Sequence, residues 1–330
     1  MQDPLSLRVH FLHSPDPSAI EVLKARLDPA ISVTCGLEPP NPAEFQVLIA
    51  GRPSRQFLTI TPKLKILIIP FAGIPEETRV LMSEFPDVEV YNLHHNAAAT
   101  AEMAIALLLA AAKRLLPIDR QFREHDWSPR YHSNPSTLLE GKKALVLGYG
   151  EIGRRIAKFC AAFGMEVHAV RRSIDNHQEV DSVSVHPVHE LHSLLQSSHV
   201  LILSVPSTPE TDGMISKEEL SLLPQGAILV NVARGKIVDE RALYQSLKSG
   251  HLLAAGIDVW YEYPKEEESR TNTPPSKYPF NELDNLVMSP HRAGGWRESE
   301  QARMCHLAQV LNSVLHGEEL KNRVDILRGY

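Results

Sequence analysis

The chain has 330 residues, 34 of them Lys or Arg and 40 Asp or Glu, for a net charge of −6, and 43% are hydrophobic. That length suits about two domains with full apolar cores, and the mildly acidic balance excludes a partner surface built on net positive charge, for nucleic acid or an anionic membrane. Three cysteines, Cys35, Cys160 and Cys305, lie far apart without a CxxC pair, which excludes the familiar metal and dithiol motifs.

The opening MQDPLSLRVHFL lacks a basic segment followed by a long apolar run, so no secretory signal is expected. The longest apolar helical run, residues 103–112, is too short to cross a bilayer. A reducing cytoplasm is the expected location. Strand-like runs at 7–12, 31–35, 46–50, 65–69 and 88–91 alternate with helical candidates such as 17–27 and 75–85. This alternation predicts a parallel sheet with covering helices, a small α/β domain in its own right. Pro70-Phe71-Ala72-Gly73-Ile74 follows the fourth run, and loops at carboxyl ends of parallel strands are where ligands bind. Backbone amides near Ala72 and Gly73 are candidates to hold a small anion.

Asn92-Leu93-His94-His95-Asn96 leads into 97–116, a run apolar nearly all round that predicts a helix buried on most faces. A domain crossing or a subunit interface would satisfy it. Loop histidines are usually solvated, so His94 and His95 carry no weight. Residues 117–139, rich in proline and polar groups, read as an extended arm with Phe122, Trp127 and Tyr131 scattered along it.

The stretch 141–173, GKKALVLGYGEIGRRIAKFCAAFGMEVHAVRRS, organises the remainder. An apolar strand at 143–147 ends in Gly148-Tyr149-Gly150-Glu151-Ile152-Gly153, a G-x-G-x-x-G. A helical stripe follows through Ile156, Ala157, Phe159, Cys160 and Phe163, and 166–170 is a second strand. Within such a βαβ unit the pattern is a dinucleotide fingerprint. Gly148 serves the tight turn, Gly150 the approach of a pyrophosphate, and Gly153 the packing of helix on strand. The pyrophosphate would sit on the helix N-terminus. At the end of the second strand, where an acidic residue would select NAD, stand Arg171 and Arg172. Their guanidinium forks suit a 2′-phosphate, so NADP(H) is the expected cofactor. Two solvated arginines and use of NAD(H) as well form the alternative.

Further strands are predicted at 182–186, 199–203, 227–231, 253–258 and 286–288, with helices at 190–196, at 239–249 (Asp239 as N-cap, Gly250 as stop) and within 295–317. Just after three of these strands stand Arg234 in NVARGKIVDE, Asp258 in AAGIDVW and His291 in MSPHRAGG. Reduction of a 2-keto acid by hydride needs a permanent cation for the carboxylate and carbonyl, and a group that gives a proton near neutral pH. Arginine meets the first need and histidine the second.

The segments LEGKKALVLGYGEIGRRIA, SVPSTPETDGMI, LLPQGAILVNVARGKIVDERAL, GIDVW and NLVMSPHRAG together resemble the D-isomer-specific 2-hydroxyacid dehydrogenase family, with its glyoxylate/hydroxypyruvate reductase, formate and phosphite dehydrogenase relatives. LKILIIPFAGI and HNAAATAEMAIALLLAAAKR match more loosely. The resemblance implies two doubly wound parallel-sheet α/β domains. A Rossmann domain at 99–292 would be inserted in a flavodoxin-like substrate domain formed by 1–98 and 293–330. It implies that Arg234 binds carboxylate and carbonyl, that His291 donates the proton, and that Asp258 holds the nicotinamide carboxamide. Ala72, Gly73 and Asn96 would line the substrate pocket, and Val205, Pro206, Val232 and Ala233 would follow the cofactor. It also implies homodimers built around 97–116 and the arm after it, and no metal.

One departure stands out. The family usually carries Glu, or Gln in formate dehydrogenases, immediately before the proline that follows the Asp-Val pair, where a carboxylate orients the histidine and raises its pKa. Here that position is Tyr263, with Glu262 one residue earlier. A small shift of the loop would let Glu262 partner His291; otherwise this segment supplies no carboxylate. The loop 265–277 is also long, a candidate to cover the site or a neighbouring subunit. The expected activity is an NADP(H)-preferring interconversion of a small 2-keto acid and its D-2-hydroxy acid. A formate or phosphite dehydrogenase is the runner-up, and a dinucleotide-sensing, corepressor-like binding protein is the alternative from another class.

Overall fold

A computed structural model describes residues 6–131 and 136–330. The chain divides into two compact units, Met1–Asn96 with Gly295–Tyr330, and Ala97–Gly294, so the second interrupts the first in sequence. The first holds five strands, β1 (Leu7–Phe11), β2 (Ile31–Cys35), β3 (Val47–Ile49), β4 (Ile66–Ile69) and β5 (Glu89–Asn92), in the order β2-β1-β3-β4-β5. Every pair is parallel, and the order is the flavodoxin one.

Both faces of this sheet are covered, which is why the central strands β3 (VLI) and β4 (ILII) are apolar at every position. Val47, Ile49 and Ile68 pack on one side against Leu23 of α1 (Pro17–Lys24) and against Leu307 and Leu311 of the closing helix Ser299–His316. Leu48, Leu67 and Ile69 pack on the other, against Phe57 of α2 (Arg55–Thr59) and Met82 of α3 (Glu76–Met82). The short helix α2 escaped the sequence reading; it starts where the Ser54 hydroxyl accepts the Phe57 N–H at 3.2 Å.

The second unit begins with α4 (Ala97–Ala112) and α5 (Leu115–Arg123). Its sheet contains β6 (Lys143–Leu147), β7 (Glu166–Val170), β8 (Gln178–Val180), β9 (Val183–His186), β10 (Val200–Leu203), β11 (Ala227–Asn231), β12 (Leu252–Ile257) and β13 (Leu286–Met288). The order is β13-β12-β11-β10-β6-β7-β9-β8. All pairs are parallel except the edge strand β8, which runs antiparallel to β9. Apart from β8 this is the Rossmann order, whose direction reverses between β6 and β10. Ala144 and Val146 face one core with α4 and α6 (Glu151–Ala162). Leu145 and Leu147 face the other, with α7 (Leu191–Leu195), α8 (Lys217–Leu222) and α9 (Glu240–Lys248).

The helix foreseen over 97–116 and the extended arm over 117–139 both need correction. Arg114, in the left-handed region at φ 51°, ends the first helix and α5 begins directly after it. Pro117 falls in the first turn of α5, where its missing N–H removes no bond. Residues 132–135 of the foreseen arm lie outside the described residues. Among the described residues no helix is long and apolar enough to cross a membrane.

Candidate active site

The glycine fingerprint sits where the sheet reverses direction. Gly148 closes β6 at φ 102°, and a Cβ there would lie 2.9 Å from the backbone carbon of Ser204, across the switch at the end of β10. A Cβ on Gly153 would lie 1.9 Å from the Gly148 carbonyl oxygen. Helix and strand therefore touch through backbone alone. Gly150 differs: it caps α6 with no side-chain acceptor, and a Cβ there would meet nothing within 4 Å. The N-terminus of this twelve-residue helix thus carries no side-chain cap and has room at Gly150, which fits the pyrophosphate of a dinucleotide.

Around this turn, Glu151 pairs with Arg154 and with Arg155 at 2.8 Å. Tyr149 is buried, its hydroxyl 3.4 Å from the Val180 carbonyl, and Ile152 packs against the core shared with α4. A Val205 methyl closes on Gly148, and the Pro206 carbonyl accepts the Thr211 hydroxyl at 2.6 Å. At the exit of β7 both Arg171 and Arg172 are exposed. The Arg171 N–H donates to the His186 carbonyl at 2.9 Å, while its guanidinium makes no hydrogen bond or ion pair among the described residues. Arg172 reaches Glu210 at 2.6 Å.

Arg234, Asp258 and His291 follow β11, β12 and β13 respectively, at the same carboxyl edge. Arg234 comes after the buried pair Val232-Ala233. Asn231 shapes that turn, accepting the Ala233 N–H at 3.0 Å and donating to the Arg234 carbonyl at 2.9 Å. The guanidinium donates to the Ala233 carbonyl at 2.6 Å. No carboxylate pairs with it among the described residues. Burial lowers its pKa, with Tyr263 opposing. A cation partly withdrawn from water, with most of its donors unused, is a site for an anion.

Asp258 has a different task from contacting solvent: it is fully buried. Its carboxylate accepts the Ser289 hydroxyl and the N–H groups of Arg292, at 2.8 Å, and Ala293, at 3.0 Å. Its carbonyl accepts the His291 N–H at 2.7 Å. These bonds hold His291 at φ 56°, uncommon for a side chain with a Cβ.

The foreseen pairing of Glu262 with His291 does not occur. Glu262 is exposed, its N–H is tied to the Pro275 carbonyl at 3.0 Å, and its carboxylate bonds to nothing among the described residues. Tyr263 takes the place instead, its ring centroid 5.5 Å from that of His291 and inclined by 58°. The hydrogen bond that folds Tyr263 back, from the Trp260 N–H to its hydroxyl at 3.0 Å, is what turns Glu262 outward. The His291 pKa is lowered, first by loss of solvation and then by the Arg234 cation, with Asp258 pulling upward. The long loop 265–277 is docked on its own unit, where Glu240 of α9 accepts from the Ser276 hydroxyl at 2.7 Å and the Lys277 N–H at 2.8 Å.

In the first unit, the Ala72 carbonyl accepts from the Asn92 amide at 2.6 Å, and the Asn92 carbonyl oxygen lies 3.0 Å from His94 Nε2. Ala72, Gly73 and Asn96 are all half-buried. His95, set aside at the level of sequence, stacks obliquely on Trp296 at 6.2 Å. Its pKa is pushed down to about 4 by burial, with Arg303, His306 and His94 adding to it. Among the described residues no group of His, Cys, Asp and Glu is arranged to hold a metal ion.

The family model for "D-isomer specific 2-hydroxyacid dehydrogenase, NAD binding domain" matches residues 105–293. The chain belongs to this family, and its second unit is a Rossmann NAD-binding domain. It is 30% identical to D-3-phosphoglycerate dehydrogenase of Methanocaldococcus jannaschii over 88% of this chain and 53% of that one. It is 34% identical to glyoxylate reductase of Thermococcus onnurineus over 74% of this chain and 71% of that one. Among solved structures, a D-isomer specific 2-hydroxyacid dehydrogenase from Xanthobacter autotrophicus Py2, in complex with NADPH and MES, has a TM-score of 0.80 at 27% identity, covering 98% of this chain and 100% of that one. The chain spans about half the length of the D-3-phosphoglycerate dehydrogenases it matches, 41% and 53% in two archaeal cases.

Proposed function

We propose that the protein is an NADP(H)-preferring oxidoreductase that interconverts a small 2-keto acid and its D-2-hydroxy acid. The observation that carries this reading is Arg234, a desolvated guanidinium with no anion of its own, whose charge is felt at the nearby His291 imidazole. The dinucleotide, when bound, supplies or accepts the hydride. Arg234 binds the substrate carboxylate and polarises the C2 carbonyl by bidentate donation. His291 gives the proton to the substrate oxygen during reduction and takes it back during oxidation. Asp258 acts on the substrate through His291, by fixing the segment that presents it. Ala72, Gly73 and Asn96 are assigned to the substrate, residues 1–98 and 293–330 to the substrate domain, and 99–292 to the nucleotide domain.

Gly148 to Gly153, Val205, Pro206, Val232 and Ala233 are assigned to the dinucleotide. The preference for NADP(H) rests on Arg171 and Arg172 in the place of an acidic residue, and the NADPH complex of the Xanthobacter relative supports it. A homodimer is part of this reading, because α5 and the turn after it leave Leu115, Phe122, Trp127 and Tyr131 exposed on one short stretch. The names of the relatives divide the substrate between glyoxylate-sized acids and phosphorylated ones. Purified protein with NADPH or NADH, challenged with glyoxylate, hydroxypyruvate, phenylpyruvate and phosphohydroxypyruvate, tests the reading. Oxidation of NADPH by one or more of them is expected; no oxidation of either coenzyme by any would sink it.

A further inference from the structure

Among the described residues the imidazole of His291 has no carboxylate partner, and the structure shows what stands in its place. The ring of Tyr263 lies against it, 5.5 Å between centroids, while both residues stay exposed to solvent on their other sides. The phenol oxygen is occupied by the Trp260 N–H at 3.0 Å, so the tyrosine is pinned by a main-chain bond three residues upstream. Trp260 is itself immobile. Its indole N–H donates to the Ser289 carbonyl at 2.8 Å, and its own carbonyl lies so close to Gly235 that a Cβ there would be 2.3 Å away. Tyr263 is therefore fixed to the element that carries Arg234 and to the one that carries His291. The charged and titratable groups bearing on the imidazole are Arg234 from the turn after β11, Asp258 from the end of β12, and Tyr263 itself. Arg292 adjoins it in sequence and is exposed. The Asp258 carboxylate is committed to its bonds with Ser289, Arg292 and Ala293.

We propose that Tyr263 is the positioning residue of His291. It holds the imidazole against an uncharged aromatic ring, so that the histidine rests neutral, as a proton acceptor, and the site is set for oxidation of the hydroxy acid at neutral pH. This inference rests on the oxidoreductase reading above. In that direction the C2–H bond breaks and its electron pair leaves as hydride to the oxidised nicotinamide dinucleotide. The hydroxyl proton passes to His291, C2=O forms, and the imidazolium returns its proton to water. Oxidation needs the neutral ring, so its kcat/KM falls as pH drops through the histidine's pKa; reduction needs the protonated ring and falls as pH rises through the same value. Burial and Arg234 put that value below the ordinary 6.5, so both limbs lie on the acid side.

The test is a nuclear magnetic resonance titration of the His291 ring in the full chain without ligand, its signal assigned by loss in His291→Gln. The midpoint is expected below 6.5, unchanged in Tyr263→Phe, and raised by about one pH unit in Tyr263→Glu, the order a close opposite charge produces. Should Tyr263→Glu fail to fold, Tyr263→Ser removes the ring without adding charge, and the midpoint is expected to move up toward 6.5 as the covering of that one side of the imidazole is lost. A wild-type midpoint at or above 6.5, or no movement in the Glu and Ser variants, would overturn the inference. The pH profile of hydroxy-acid oxidation then separates the two readings. A titration that behaves as expected in a protein without turnover removes the reaction, whereas turnover with an unmoved titration removes the role of Tyr263.

Discussion

At the turn after β6, backbone meets backbone: the position of Gly153 is set by the Gly148 carbonyl, to which the Ser204 hydroxyl also donates at 2.9 Å. At the corner formed by the ends of β11, β12 and β13, His291 is held by the N–H it donates to the Asp258 carbonyl, by the neighbouring N–H groups of Arg292 and Ala293 on the Asp258 carboxylate, and by the ring of Tyr263. The first arrangement has no slack, since any added atom collides. The second offers several positions at which a substitution changes charge or polarity while leaving the chain path intact. Holding the nucleotide is thus a matter of shape, and setting the proton chemistry is a matter of choosing neighbours.

Substitutions in each region sharpen this contrast. Gly153→Ala brings a carbon to 1.9 Å from a carbonyl oxygen, so the turn must open. Loss of NADPH binding by calorimetry is expected, with a melting temperature several degrees lower, overpacking costing about 1–3 kcal/mol. An unchanged affinity would break the contrast at once. Arg234→Gln is expected to lower kcat/KM by about 10²–10³, the scale of removing one electrostatic anchor of a developing oxyanion. NADPH affinity should stay within a factor of about two to three of wild type, the scatter expected of a residue outside the nucleotide contacts. Asp258→Asn turns one acceptor into a donor facing main-chain N–H groups. About 1–3 kcal/mol of unfolding free energy should be lost in urea titrations, with faster amide exchange at Arg292 and Ala293. Arg171→Ala is expected to weaken NADPH about tenfold and leave NADH unchanged, as loss of one charge-assisted bond to phosphate implies; an equal loss for both coenzymes would remove the basis for NADP(H) preference.

What the sequence makes legible follows from the range of the forces involved. Parallel strands buried on both faces are apolar at nearly every position, so the central ones, β3, β4, β6, β10 and β11, stand out as short apolar runs, and the others except β8 still show as β-branched or apolar stretches. The glycine turn is equally local. The edge strand β8, polar and paired on one side with β9, carries no such signature. Helix α8 was missed although its signal was available: Ser216 and Glu219 form a capping box, the serine hydroxyl accepting the Glu218 N–H at 3.1 Å and the glutamate accepting the Ser216 N–H at 2.9 Å. Arg234 and His291 could be singled out because each directly follows a readable strand. That Tyr263 and not Glu262 meets the imidazole depends on how a three-residue turn closes on Trp260 and Pro275, which no local pattern encodes.

The interruption of the first unit by the second has a consequence for biosynthesis. Met304, Leu307, Ala308, Leu311 and Leu315 complete one core of the five-stranded sheet, yet they are made only after the whole of the second unit. While the ribosome is still elongating, β1 to β5 wait with that face uncovered, and the nucleotide-binding unit, whose segments are contiguous, is free to fold ahead of them. A nascent chain stalled before Ser299 should accordingly resist protease over 97–294 while residues 6–96 are digested.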